Sequence, residues 1–157
     1  MTRLAPRWLR RVSGFTLAAC VSLGAANRAE AACTLSASSV TFPLYNVFSA
    51  STTDSTGTVT YTCSNADHDI RISISKGSST TFTPRGLKRG TEALSYNLFT
   101  DSTFGTIWGD GTGTTTTYFN HNPPNSAVTL TVYARIPAAQ DVSVGTYTDT
   151  VVVTIDY

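Results

Sequence analysis

The residues from which this chain would have to build chemistry are three cysteines, two histidines and a scatter of aspartates. His68 and His121 both fall in polar loop stretches, Ser64-Asn65-Ala66-Asp67-His68 and His121-Asn122-Pro123-Pro124-Asn125. A single loop histidine of this kind reads as a solvated side chain rather than a general base. Serine and aspartate are plentiful, but no Gly-x-Ser-x-Gly elbow occurs. Asp110-Gly111-Thr112-Gly113 looks like a cation loop, yet it offers one carboxylate where calcium takes about six to eight oxygens. The run Thr114–Thr117 reads as a tolerant loop rather than a glycan platform. Trp108 and Tyr118 leave two readings open, stacking on a sugar or packing against one end of a folded domain. The expectation is therefore a protein that is not an enzyme and has no catalytic, cofactor or metal residues.

The cysteines have a different chemistry. Residues 1–31 read as a secretory signal: Arg3, Arg7, Arg10 and Arg11 form a basic head, Val12 to Gly24 an apolar and small-residue middle, and Ala29-Glu30-Ala31 a small-x-small cleavage site. Leu17-Ala18-Ala19-Cys20 also resembles a lipoprotein box, and Arg10-Arg11 a twin-arginine signal with a poorly fitting context in Val12-Ser13-Gly14-Phe15. After cleavage the mature domain, 32–157, keeps Cys33 and Cys63. An even count in an exported protein favours a disulfide. Closing a loop of that length contributes about 3–4 kcal/mol in the chain-entropy picture. The mature domain also keeps six Lys and Arg against nine Asp and Glu, a net charge of −3, so a basic footprint for nucleic acid is absent. No apolar run is long enough for an integral membrane span.

These residues must be held by strands. The 157-residue chain is 41% hydrophobic but only 13% charged, and it is rich in Thr, Ser and Gly, which is the composition of an all-β domain. Val59, Tyr61 and Cys63 alternate with polar neighbours, as do Ile70, Ile72 and Ile74, then Leu94, Tyr96 and Leu98, then Val128 to Ile136. Val40, Phe42 and Leu44 alternate in what reads as a first strand, with Pro43 marking an edge. Residues 80–92 carry the mature chain's basic cluster, Arg85, Lys88 and Arg89, and Pro84, Gly86 and Gly90 mark them as loop. The last stretch, Gly145 to Tyr157, puts Tyr147, Val151, Val153, Ile155 and Tyr157 on one face and reads as a long strand whose free edge needs a partner. Strands without helical periods argue for a β-sandwich.

Six short stretches carry a resemblance: Phe42-Pro43-Leu44-Tyr45-Asn46, Asp54-Ser55-Thr56-Gly57, Tyr96-Asn97-Leu98-Phe99-Thr100-Asp101, Trp108-Gly109-Asp110-Gly111, Arg135-Ile136-Pro137-Ala138 and Gly145-Thr146-Tyr147-Thr148-Asp149. Together they resemble the spore coat protein U domain family, over nearly all of Cys33 to Tyr157. The resemblance implies an incomplete immunoglobulin-like β-sandwich that lacks its final strand. It further implies a subunit of an archaic chaperone–usher pilus, exported through the periplasm to the surface of a Gram-negative bacterium. Its partners would be a periplasmic chaperone, an outer-membrane usher and other pilus subunits, which supply the strand in turn.

The strand-acceptor groove is expected between Val40, Phe42 and Leu44 on one side and Val151, Val153 and Ile155 on the other. By the same resemblance, the Tyr157 carboxylate would be held by basic residues of the chaperone. Only Ala32 separates Cys33 from the expected cleavage site, and residues 21–32 show no strand period. The subunit therefore reads as a strand acceptor without a donor segment, near a fibre tip. Two alternatives remain: a tip adhesin binding a surface or sugar through loops 101–126, and a lipid-anchored envelope or coat protein held at Cys20. Exported protein is expected to begin at Ala32 by intact mass, whereas a diacylglycerol adduct on Cys20 would favour the anchored alternative.

Overall fold

The computed structural model describes residues 33–64 and 68–157, and all of the strands in these residues pair antiparallel. The expected signal segment, Cys20 and Ala32 lie outside the described residues. The strands are β1 (Cys33–Ala37), β2 (Thr53–Cys63), β3 (Ile70–Ile74), β4 (Arg85–Arg89), β5 (Glu92–Phe99), β6 (Tyr118–Asn120), β7 (Val128–Ile136) and β8 (Val153–Asp156). They form a five-stranded sheet in the order β1-β2-β7-β5-β4 and a three-stranded sheet in the order β6-β3-β8. No helix is present among the described residues. The fold is the all-β, two-sheet arrangement expected from the alternating rows.

Those rows meet in one core. Val59, Tyr61 and Cys63 of β2, Leu94, Tyr96 and Leu98 of β5, and Val132, Ala134 and Ile136 of β7 face Ile70, Ile72 and Ile74 of β3. Fully burying an Ile side chain contributes about 1.5–3 kcal/mol relative to leaving it exposed, so β3, with three of them, is the spine of the smaller sheet. Cys33 and Cys63 are opposite one another in the β1–β2 register and form a disulfide, with Cα atoms 4.1 Å apart.

The structure departs from the alternating pattern in three places. The first strand lies at Cys33–Ala37, and residues 40–44 are extended without joining a ladder. Residues 85–89, read as loop from their glycines and charges, pair with β5 from Arg85↔Tyr96 to Arg89↔Glu92 as a hairpin. The long terminal strand is regular only over Val153–Asp156, because the chain ahead of it crosses from one sheet to the other. It touches the first sheet at Thr148, opposite Lys88, and joins β3 by Ile74↔Val153.

Splitting of the basic cluster is the most consequential departure. Lys88 and Arg89 are exposed, whereas Arg85 is 0% exposed. Its guanidinium donates from Nε to the Ser75 carbonyl at 3.0 Å and from Nη1 to Asn97 Oδ1 at 2.7 Å. Nη2 donates to the Ile74 and Trp108 carbonyls at 3.3 and 2.6 Å. Burial lowers its pKa to about 10, so at neutral pH it holds a full charge that is met by neutral acceptors. Asn97 in turn donates to the Phe82 carbonyl at 2.8 Å, and the Phe82 ring lies 5.0 Å from Arg85 Cζ. One side chain thus ties the end of β3, the middle of β5 and the loop at Trp108.

Replacing Arg85 with Met should cost about 3 kcal/mol or more, since it strands buried acceptors from three segments. Arg85→Lys should recover little of this, because an ammonium cannot reproduce the planar fork. Urea unfolding midpoints measured at unchanged slope would check both expectations.

Candidate functional site

The sandwich is left open along one side. Residues 38–42 and 149–153 stand apart and enclose a groove of about 350 Å³. Its floor comes from both sheets: Val59 of β2, Ile74 of β3, Leu98 of β5 and Val132 of β7. Val40, Phe42, Leu87, Tyr96, Val151 and Val153 form the walls, with Ser38, Thr58 and Asp149 at the margin.

One wall forms because the chain leaves the first sheet just after β1. Ser38 still pairs with Thr58: its N–H donates to the Thr58 carbonyl at 2.9 Å, and the Thr58 N–H donates to Ser38 Oγ at 2.8 Å. Beyond that point the segment crosses over β2 at Gly57. Val40 Cγ2 lies 2.8 Å from where a Cβ on Gly57 would sit, so any side chain there would push the segment off. Ser55 Oγ then donates to the Thr41 carbonyl at 2.6 Å, and Phe42 packs edge-on against Tyr96 with ring centroids 6.2 Å apart. The Asp54-Ser55-Thr56-Gly57 stretch is therefore the support of this wall. Its Asp54 makes a bidentate pair with Arg135, both bonds at 2.7 Å, which holds the Asp54 carboxyl below its usual range.

The other wall is a strap hung between the β4–β5 hairpin and β8. Lys88 and Thr148 exchange backbone hydrogen bonds of 2.7 and 3.0 Å. The Asp149 carboxylate accepts from the Ser78 and Thr150 N–H groups at 2.9 Å each and from Tyr96 OH at 2.8 Å. Burial, and then that bond to a carboxylate, push the Tyr96 phenol above its usual range. Gly77 turns at φ +65°, and the Asp149 carboxylate occupies the space a side chain would need. Ser75 closes the strap from below, donating its N–H to the Val152 carbonyl and accepting the Val152 N–H on Oγ, both at 2.8 Å.

Upstream, Glu92 accepts from Ser143 Oγ at 2.6 Å, Tyr147 OH at 2.7 Å and Arg89 Nη1 at 3.0 Å. The Ser143 hydroxyl first, then Tyr147 and Arg89, hold the Glu92 carboxyl down to about 2. Of the Gly-x-Tyr-x-Asp stretch, Tyr147 is thus fastened to Glu92 and Asp149 to Ser78 and Tyr96, while a side chain at Gly145 would run into Arg89.

The groove offers hydrophobic contact and open backbone. Asp149, the one carboxylate among the described residues of its lining, already accepts three hydrogen bonds. The backbone N–H and C=O groups of Val40, Phe42 and Val151 have no hydrogen-bond partner among the described residues. β8 is paired only with β3 there. No group of three or more His, Cys, Asp or Glu that could hold a metal occurs among the described residues.

Of the six residues expected to line an acceptor groove, Val40, Phe42, Val151 and Val153 come together. Leu44 is 97% exposed and lies beyond the wall, toward the turn at Val47 and Phe48. Ile155 is opposite Ile72 within the small sheet and packs on the core instead. Tyr157 is 57% exposed. The floor residues were legible as buried rows, but not as a place where burial stops.

Of the two readings open for Trp108, packing holds: it is 1% exposed and donates Nε1–H to the Ile72 carbonyl at 3.0 Å. Tyr118 is half-buried, its hydroxyl 3.2 Å from that of Tyr61. His121, expected to be solvated and alone, is exposed but paired with Asp69, and its ring lies 6.5 Å from that of His68.

Comparison with known proteins agrees with this architecture. A chain in the crystal structure of the CsuC–CsuE chaperone–tip adhesion subunit pre-assembly complex, from the archaic chaperone–usher Csu pili of Acinetobacter baumannii, superposes with a TM-score of 0.59 at 22% identity. The match covers 81% of this chain and 40% of that one, and shows a shared fold. Protein U of Myxococcus xanthus is 40% identical over 67 residues, which is 43% of this chain and 36% of Protein U. The chain thus spans less than half the length of either relative. Residues 19–154 match the family described as the Spore Coat Protein U domain, and with the six motif stretches and the two-sheet fold accounted for, the chain belongs to that family.

Proposed function

We propose that this protein is a non-enzymatic structural subunit of a surface pilus, assembled by donor-strand complementation through a periplasmic chaperone and an outer-membrane usher. The observation that carries this reading is the groove itself. An apolar floor drawn from both sheets lies between two rims whose backbone groups at Val40, Phe42 and Val151 are unpaired among the described residues. An extended segment laid between the rims would gain main-chain hydrogen bonds along its length and bury alternate side chains on the floor. The likeness to a chain from a chaperone–subunit complex supports the same partners. The groove favours a strand-acceptor role, and the unpatterned residues 21–32 favour a place near the fibre tip. Tyr157 is the anchor point offered to the chaperone's basic residues. The family and this route of assembly favour export through the periplasm to the cell surface. Burial of Trp108 removes one of the two residues, Trp108 and Tyr118, on whose stacking an adhesin reading through loops 101–126 would lean.

Val153→Asp places an unpaired charge against the floor. It should cost about 3 kcal/mol or more in binding, a loss of over about a hundredfold. Co-expression with the cognate chaperone, followed by pull-down and thermal melting, tests this. Wild type should emerge as a complex and the variant should not. Wild-type protein that purifies alone as a stable monomer with no affinity for the chaperone would overturn the reading.

A further inference from the structure

One wall of the groove is fastened at a place the groove does not reach. The strap that carries Asp149, Thr150, Val151 and Val153 into the lining is preceded by residues 141–147, which make no backbone–backbone hydrogen bond among the described residues. What ties this stretch down is the carboxylate of Glu92, at the tip of the β4–β5 hairpin. Its bonds from Ser143 Oγ at 2.6 Å and Tyr147 OH at 2.7 Å are as short as charge-assisted bonds become. The third, from Arg89 Nη1 at 3.0 Å, stations the neutralising charge beside it. Tyr147 OH also has the Ser143 carbonyl within 2.9 Å, so its one proton faces acceptors on both the hairpin and its own loop. Tyr147 packs its ring against the margin of the core only two residues ahead of Asp149.

The hairpin that Glu92 holds supplies Leu87 and Tyr96 to the same groove. Both the strap and the surface it faces are therefore referenced to one carboxylate. We propose that Glu92 is a positioning residue for the groove: by holding Ser143, Tyr147 and Arg89 together it fixes the 149–153 wall at the separation an added strand requires. The proposal rests on the strand-acceptor reading of the groove and adds Glu92 to the Lys88–Thr148 pairing, Asp149 and Ser75 as a fastening of that wall.

A groove whose wall drifts outward still offers an apolar floor, but it cannot offer both rims at hydrogen-bonding distance at once. Loss of the fastening should therefore show as faster release of a bound strand while the domain stays folded.

The test uses the subunit as its complex with the co-expressed chaperone, and follows the rate at which fluorescently labelled chaperone displaces unlabelled chaperone in the cold, far below the melting transition. Glu92→Ala should exchange about tenfold faster than wild type. Tyr147→Phe, which removes a single hydroxyl and keeps the ring in place, should exchange a few-fold faster and stands in if Glu92→Ala yields no folded protein. A merely structural role would lower the melting temperature of the complex but leave cold exchange within about twofold of wild type, and that result overturns the proposal. Val153→Asp separates the two levels. If it abolishes the complex while Tyr147→Phe and Glu92→Ala exchange like wild type, the groove reading stands and this inference falls. If Val153→Asp binds like wild type, both fall.

Discussion

The two sheets of this domain are tied together by a buried charge whose hydrogen bonds all go to neutral acceptors. Arg85 reaches the Ser75 and Ile74 carbonyls at the end of β3, Asn97 in β5 and the Trp108 carbonyl. No carboxylate among the described residues is bonded to it, so its desolvation is offset by four directed hydrogen bonds, the face of Phe82 and the more distant charges of Asp149 and Asp110. Such a joint tolerates little displacement, since its four acceptors belong to three separate segments of the chain. It fixes where the smaller sheet ends relative to the larger one. The floor residues Ile74 and Leu98 are beside two of its partners, Ser75 and Asn97, and so inherit their placement.

The groove is built outward from that joint by small departures from regular pairing. On one side a missing Cβ at Gly57 lets the chain cross over β2, and on the other a strap crosses between sheets on isolated contacts. In both, the backbone gives up ladder hydrogen bonds in exchange for reach, and side chains take over the fixing: Ser38 and Ser55 for the first wall, Asp149 and Ser75 for the second. Groove and sandwich are made of the same rows; what differs is where pairing is interrupted.

This explains how far the sequence could be read. The period-2 rows of Val59 to Cys63, Ile70 to Ile74, Leu94 to Leu98 and Val128 to Ile136 are strong because each buries one face, and all four are strands. Alternation alone does not report pairing. Val40, Phe42 and Leu44 alternate as well as any strand, but their lack of a partner follows from Gly57, many residues away. The end of the chain alternates from Tyr147 onward, yet Lys88 and Ser75 decide that it changes sheets before β8. Arg85 was hidden for the opposite reason: glycine, proline and charge mark exposed turns on average, and nothing local says that four neutral acceptors wait inside. Of the groove, the three valines and one phenylalanine on its walls could be read; its floor required knowing which parts of the core go uncovered.

The disulfide gives the wall at 38–42 a mechanical property of its own. Cys33 and Cys63 are 30 residues apart along the chain but joined directly through sulfur. A tensile load arriving at the backbone of Cys33 passes covalently to Cys63 and on toward β3 without travelling through the residues between them. The whole of β1, the crossing at Gly57 and the wall carrying Val40 and Phe42 lie on the slack branch of that bridge. Stretching the chain from its N-terminal side therefore does not pull directly on this rim of the groove.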